Sequence, residues 1–366
     1  MNFSFKINHD HKSQLTLIID GNWLLISRFA ILRKEFDNVE DLFPILKKNM
    51  LKSIMLIVNR IKHIDNIIFV SDGGSWRKHL NLPTSFSKAA TEHNYKGTRS
   101  REDDFDWDRF FALYNEFTDE LRSLGGLNVY CAHDVEGDDW CWYLSNALYN
   151  DGTNCIILSA DKDLTQLVKF NPLTYNFVIT YYKVKSKKHI ITYDKKIDEY
   201  KDQISISFFL DQHKMANYDC LKECFSVSTD LKPIDPKETI INKIFIGDVS
   251  DNVLPVIYST SNSKTYKLSK KNIDLNLDFE SDSEIEKFIE KTIATNKKYS
   301  NFDCKLVTEH ALYNRKLVYL SETEYPEEIL EKMQEFSYYS CTKDVSKELS
   351  YIESQANQVT DFLDSL

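Results

Sequence analysis

The sequence predicts an α/β fold, with a mainly parallel central sheet, helices on both faces and a mainly helical C-terminal region. Three observations carry this. Short apolar runs, Leu15 to Ile19, Ile67 to Val70 and Cys155 to Leu158, have the composition of strands buried on both faces. Stretches of helical periodicity separate them, the alternation expected of a parallel sheet. Each run is followed within three residues by an acidic residue, Asp20, Asp72 or Asp161.

The elements follow in order. After Leu15 to Ile19, a helical pattern from about Leu42 to Ile61 places Leu46, Met50, Ile54, Ile57, Val58 and Ile61 on one face. Ile67 to Val70 is the second strand. From Trp76 to about Asp104 the pattern gives way to a polar, basic connection carrying Arg77, Lys78, Lys88, Lys96, Arg99 and Arg101, with Phe86 and Tyr95 interspersed. Cations beside aromatic rings suit a flexible single strand of nucleic acid, through phosphate contacts and base stacking, although a solvated charged loop has much the same composition. Trp107, Phe110, Phe111, Tyr114, Phe117, Leu121 and Leu124 form a helical core stripe closed by Gly125 and Gly126. A strand near Leu127 precedes Glu136, Asp138 and Asp139, which open an amphipathic helix from Gly137 to Tyr149.

Beyond Leu167, Asn176 to Asp194 reads as a basic hairpin with Lys183, Lys185, Lys187 and Lys188 turned to solvent, following a duplex backbone or guarding a sheet edge. Residues 196–237 read as an insertion. Thr239 to Ile246 is expected to be helical and leads into Asp248 and Asp251, a second acidic pair. Glu284 to Ile293 and a segment beginning at Pro326 are further helix candidates. The expected division is an α/β domain over 1–195 with a basic arch at about 76–104, the insertion, a helical region over 238–350 that binds duplex, and a tail at 351–366.

A chain of 366 residues with a net charge of −10 is unlike a nonspecific nucleic-acid binder, so positive charge has to be judged locally. Seven cysteines without a Cys-x-x-Cys pair fit neither a disulfide framework nor a zinc site and point to a reducing compartment. No apolar run approaches the roughly 20 residues of a membrane span and the N-terminus has no signal-like apolar stretch, so a soluble, cytoplasmic protein is expected.

The acidic residues carry the chemistry. Ligand crevices in open parallel sheets lie beyond the carboxyl ends of the strands, where Asp20, Asp72 and Asp161 fall. Gathered carboxylates raise one another's pKa unless a cation compensates them, and oxygen-only sets suit Mg²⁺ or Mn²⁺. Any one of these acids also fits as a helix N-cap; their recurrence favours a divalent-metal site.

Together, Asp20, Asp72, the clusters E-G-D-D and S-A-D-K-D-L-T-Q-L, and G-D-V-S-D-N-V resemble the ordered motifs of the flap endonuclease and 5′-to-3′ exonuclease family, and within it the ribonuclease H branch found in T-even bacteriophages. The resemblance covers roughly residues 15–170 and 238–256, with weaker similarity in Y-N-R-K-L-V-Y-L near residue 313. It implies a PIN-like fold with a helical arch. Asp20, Asp72, Glu136, Asp138, Asp161 and Asp163 match the family's first group of metal ligands, and Asp248 and Asp251 those of its second. Tyr95, Lys96 and Arg99 match its Y-K-x-x-R motif, whose cations meet the scissile phosphate. Two positions depart from the pattern. Gly137 stands where the family has Ala, and N-V-L-P-V-I-Y-S-T-S-N-S-K replaces a glycine-rich helix-hairpin-helix.

The implied activity is phosphodiester hydrolysis with two Mg²⁺ ions, replaceable by Mn²⁺, acting on 5′ flaps or RNA primers during DNA replication. The implied partners are branched or nicked duplex and RNA-DNA hybrid, with a sliding clamp or single-strand binding protein reached through Phe362 and Leu363 of the tail; a monomer is expected. Competing readings are a noncatalytic protein that binds branched DNA, a related ribonuclease, and a phosphatase with an aspartyl nucleophile. Such phosphatases usually carry a second Asp two residues after the first, where this chain has Asn22.

Overall fold

The computed structural model describes residues 15–58, 64, 66–81, 95–97, 104–123, 128–173, 176–183, 189–200, 229–261 and 264–337. The chain divides into two compact units, one of residues 1–74, 101–234 and 331–366, the other of residues 75–100 and 235–330.

The first unit is built on β1 (Leu15–Asp20), β2 (Asn66–Val70), β3 (Asn128–Tyr130), β4 (Asn154–Leu158), β5 (Lys169–Phe170), β6 (Phe177–Lys183), β7 (His189–Asp194) and β8 (Thr229–Ile234). Their order is β3-β2-β1-β4-β6-β7-β8, with β5 paired to β6. All neighbours are parallel except β6 with β7 and β5 with β6. Every residue of β1 is buried, which explains its unbroken apolar run.

Alternation along the strands assigns the two faces. Leu15, Leu17 and Ile19 of β1, with Ile67 and Phe69 of β2 and Ile156 and Leu158 of β4, join a core shared with α1 (Gly21–Leu32), α2 (Val39–Val58) and α3 (Trp107–Ser123). The opposite face of β1, β2 and β4 receives α4 (Gly137–Asn150). Helices thus cover both faces, as expected. Burying each Leu or Ile contributes about 1.5–3 kcal/mol, so the two layers hold the central strands firmly.

Two boundaries differ instructively. α2 begins three residues before the expected Leu42, because Asn38 caps it: the Asp41 amide donates to Asn38 Oδ1 at 2.9 Å. The expected hairpin is present as β6 and β7, but it is not an edge. β8 pairs beyond β7 over six positions, so residues 229–234, expected within an insertion, belong to the sheet.

In the second unit, α6 (Pro236–Ile246; α5 is Lys196–Tyr200 of the first unit) is capped by Asp235 and buries Ile240, Ile241, Ile244 and Phe245. α7 (Asp282–Thr295) and α8 (Cys304–Val318) pack with it. α9 (Glu327–Ser337), whose residues from 331 onward belong to the first unit, follows Pro326, which accepts from the Ile329 and Leu330 amides and so stands ahead of the helix. Where a glycine-rich helix-hairpin-helix is expected, the chain forms an antiparallel hairpin, β9 (Tyr258–Ser261) with β10 (Lys264–Lys267). Asn314 Nδ2 donates to the carbonyls of Ile244 and Leu254 at 2.9 and 2.8 Å. Arg315 donates to the Phe279 and Glu280 carbonyls and pairs with Asp282 and Glu324. The Y-N-R-K stretch is therefore a packing staple of this unit.

Candidate metal centre

β1 lies between β2 and β4, so the strand order reverses beside it and the carboxyl ends of all three meet at a switch point. Asp20 is the last residue of β1 and also the N-cap of α1. The Trp23 amide donates to its Oδ1 at 2.9 Å and Ser159 Oγ to its Oδ2 at 2.7 Å. Ser159, the buried residue after β4, accepts in turn from the Asp161 amide at 3.0 Å, and Asp161 Oδ1 accepts from the Asp163 amide at 2.9 Å. One serine hydroxyl thus couples the acids of β1 and β4.

Asp72 follows β2. Its Oδ1 accepts from the Gly137 amide, in the first turn of α4, at 2.6 Å. Glu136 is the N-cap of α4 in a capping box with Asp139, whose Oδ2 accepts from the Glu136 amide at 3.0 Å. Asp20 and Glu136 both cap helices, the structural role weighed from the sequence.

The loops after β2 and β3 are locked to each other. The Gly73 amide donates to Val135 O at 2.8 Å, and the Asp134 amide to Gly73 O at 3.0 Å. A Cβ on Gly73 would lie 1.8 Å from the Ala132 carbonyl oxygen, so only glycine permits this approach. A Cβ on Gly137 would lie 3.0 Å from Asp72 Oδ1 and 3.9 Å from Asp20 Oδ1. Gly137, where the family pattern has Ala, is pressed against the carboxylates.

The electrostatics follow from this crowding. Burial, together with the charges of Asp72 and Asp161, pushes Asp20 up to about 7, against the opposing hydrogen bonds from Trp23 and Ser159. Burial pushes the Cys141 thiol on α4 well up, and so do Asp20, Asp138, Asp72 and Asp161. A single interior sulfur senses four of the expected ligands. An all-oxygen set in which like charges already raise a buried carboxyl fits a divalent cation, which would relieve the repulsion.

The second unit holds Asp248 and Asp251 on a tight turn. Asp248 and Val253 exchange amide-carbonyl bonds at 2.8 Å, and Asn252 has a φ of 60°. Lys243 Nζ lies 2.6 Å from Asp248 Oδ2, and Ser250 donates to Oδ1 through its amide at 2.9 Å. Partial burial works to raise Asp248, but Lys243 and Ser250 outweigh it and hold the carboxyl down at about 2. Asp251 is buried, and its carbonyl accepts from the Lys96 amide at 3.0 Å.

The basic residues fare unevenly. Lys96 has a φ of 57° and its ammonium lies 5.0 Å from the centre of the Tyr95 ring. Tyr95 itself is packed in the core of the second unit with Ile240, Ile244 and Phe245, so its ring anchors the segment. Arg77, expected on an exposed binding surface, is 2% exposed. Its guanidinium stacks 4.5 Å from Trp76 and 5.6 Å from Tyr325, a partner far away in sequence, and the charge serves packing instead. Lys78 is exposed, as expected. Lys88, Arg99, Arg101, Lys185, Lys187, Lys188, Phe362 and Leu363 lie outside the described residues, as do most of the arch and the side chain of Lys183.

Sequence reasoning gave no role to Ser159, Ser71, Gly73 or the Tyr114 hydroxyl, and weighed Asn22 only as the residue that stands where an aspartyl phosphatase has Asp. Ser159 stands inside a motif already singled out; Tyr114, alone in a stripe of phenylalanines and leucines, carried the clue of a hydroxyl in a core helix.

No helix among the described residues is long and apolar enough to cross a membrane. A search of curated proteins finds no match. Among solved structures, a bacteriophage T5 flap endonuclease variant in complex with DNA and metal ions aligns with a TM-score of 0.51 and 16% identity, over 94% of this chain and 100% of that one. The T5 5′-exonuclease with bound zinc aligns with a TM-score of 0.50 and 15% identity, over 89% and 97%. These likenesses establish the shared fold. The family model of the 5′-3′ exonuclease N-terminal resolvase-like domain matches residues 15–201, the segment that carries every acid of the first group, and the chain belongs to that 5′-3′ exonuclease family.

Proposed function

We propose that the protein is a divalent-metal-dependent, structure-specific 5′ nuclease that removes 5′ flaps or RNA primers from duplexes. The observation that carries this reading is the meeting of Asp20, Asp72 and Asp161 at the carboxyl ends of three adjacent strands, with Asp20 raised by burial and, to a lesser degree, by its neighbours' charge. The T5 relative's association with DNA and metal ions, in the family this chain shares, supports the same substrate class here.

Asp20, Asp72, Glu136, Asp138, Asp161 and Asp163 would hold the first of two Mg²⁺ ions, for which Mn²⁺ can substitute, and Asp248 and Asp251 would serve the second. Bound there, the ions would supply an activated water and compensation for charge on the attacking and leaving oxygens. The protein's own groups do the rest. Ser159 donates to Asp20 Oδ2 and accepts from the Asp161 amide, so one hydroxyl holds the side chain of the first acid and the backbone of the second in register. The Gly137 amide holds Asp72 through Oδ1. Lys96, tied by its backbone to Asp251, and Arg99 would stabilise charge on the transferring phosphoryl group. Lys78, Lys88, Arg101 and the lysines at 183, 185, 187 and 188 would contact the phosphate backbone, and Phe362 and Leu363 a replication partner.

The test uses a 5′-labelled flap duplex with DNA and RNA flaps side by side, in Mg²⁺ and in EDTA, with wild type and Asp161→Ala. Cleavage near the junction that needs Mg²⁺ and is lost in the variant is expected. Tight binding without cleavage in Mg²⁺ or Mn²⁺ would replace the nuclease with a branched-DNA-binding protein.

A further inference from the structure

Behind the carboxylates lies a polar cluster that none of the family motifs includes. Asn22, two residues after Asp20 in the first turn of α1, presents its Oδ1 to three donors: Ser71 Oγ, the Asp72 amide and the Tyr114 hydroxyl, each at 3.2 Å. These groups come from β1–α1, the end of β2 and the middle of α3. Ser71 is fully buried and Tyr114 is 2% exposed, so the cluster sits in the protein interior while Asp72 reaches outward. The Tyr114 oxygen also lies 2.6 Å from where a Cβ on Gly21 would stand, so the absence of a side chain at Gly21 makes room for the hydroxyl.

We infer that Asn22, oriented by Tyr114, is a positioning residue that sets the backbone of Asp72 and so aims its carboxylate at the divalent ion. An amide oxygen suits this place because it accepts without adding charge. A carboxylate at position 22, the residue expected of the phosphatase alternative, would add a further negative group beside Asp20 and Asp72. Asp72 is then held at both ends: its amide by Asn22 on α1, its carboxylate by the Gly137 amide on α4. Partners of this kind behind metal ligands typically govern affinity by about 10- to 100-fold.

The inference rests on the metal-site reading, and the experiment separates the two. Mn²⁺ is titrated calorimetrically into metal-free wild type and the variants Asn22→Leu, Tyr114→Phe and Tyr193→Phe, with thermal melts of each metal-free protein. Tyr193 is the control, a buried tyrosine whose hydroxyl donates to Asp198 at 2.9 Å, away from the acids. Expected is a Mn²⁺ dissociation constant raised by about tenfold or more in Asn22→Leu and several-fold in Tyr114→Phe, unchanged in Tyr193→Phe. Flap cleavage by Tyr114→Phe should need proportionately more metal yet recover its rate at saturation. Wild-type affinity in both Asn22→Leu and Tyr114→Phe would overturn the inference, as would an equal loss in Tyr193→Phe, which would mark general loosening. Failure of wild type to bind Mn²⁺ would remove the metal site itself, and the inference with it.

Discussion

The two acidic groups solve the same electrostatic problem in opposite ways. At the ends of β1, β2 and β4, burial, with a smaller push from the Asp72 and Asp161 charges, raises Asp20 to about 7, and its hydrogen bonds with Trp23 and Ser159 do not cancel the effect. On the Asp248 turn, Lys243 lies 2.6 Å away and the carboxyl is held at about 2. The first group leaves its balance to an external cation; the second carries a cation of its own. Two acidic groups of the same composition can thus differ in how much of the compensating charge the chain itself supplies.

Four substitutions test that contrast. The largest effect is expected for Asp161→Ala, a loss of Mg²⁺-dependent cleavage on the order of a thousand-fold, equivalent to about 4 kcal/mol, measured by single-turnover cleavage of a flap. Asp20→Asn should be as inactive but more stable without metal. Because the folded pKa of Asp20 is raised from 3.8 to about 7, the protonated form favours folding; its contribution is full below about pH 4 and is lost as pH rises through 7. In EDTA at pH 8 the variant should therefore gain on the order of a few kcal/mol over wild type, and at pH 4 nothing, as melts at the two pH values would reveal.

Lys243→Met probes the self-balanced turn. The Asp248 pKa is lowered, so its contribution is present above pH 3.8 and fades as pH falls towards 2. Since the Asp248 carboxyl is partly exposed and solvent screens the pair, the loss at pH 7 should be about 1 kcal/mol or less, and the acid limb of the stability profile should flatten. Gly137→Ala is expected to act least. Its methyl group would press on Asp72 Oδ1, raising the Mn²⁺ dissociation constant by about two- to fivefold, while the melting temperature stays within a few degrees, since alanine improves helix propensity.

Much of this was legible in the sequence. β1, β2, β4, α3 and α4 announced themselves because each buries a regular face, and the acids beyond the strands marked the switch point before any coordinates. What escaped did so for physical reasons. α8 hides its period because its buried positions include Asn314 and Arg315, made tolerable by hydrogen bonds to distant carbonyls, while Leu306 is exposed. β8 reads T-D-L-K-P-I, with a proline that argues against an interior strand yet is tolerated at an edge. Arg77 looks like a phosphate contact until Tyr325 arrives from almost 250 residues away. Hydrogen bonds of the kind that join Asn22 to Ser71 and Tyr114 leave no periodic trace at all.

The pairing of β8 with β7 sets the order of events on the ribosome. Until residue 234 has emerged and crossed back, β7 presents an edge of unpaired backbone N–H and C=O groups to any passing chain, a template for intermolecular pairing. A polypeptide ending at residue 201, where the family match stops, would keep every acid of the first group and still lack the strand that seals the sheet. Its predicted failing is self-association, so a fragment that keeps the sheet soluble should extend at least through Ile234.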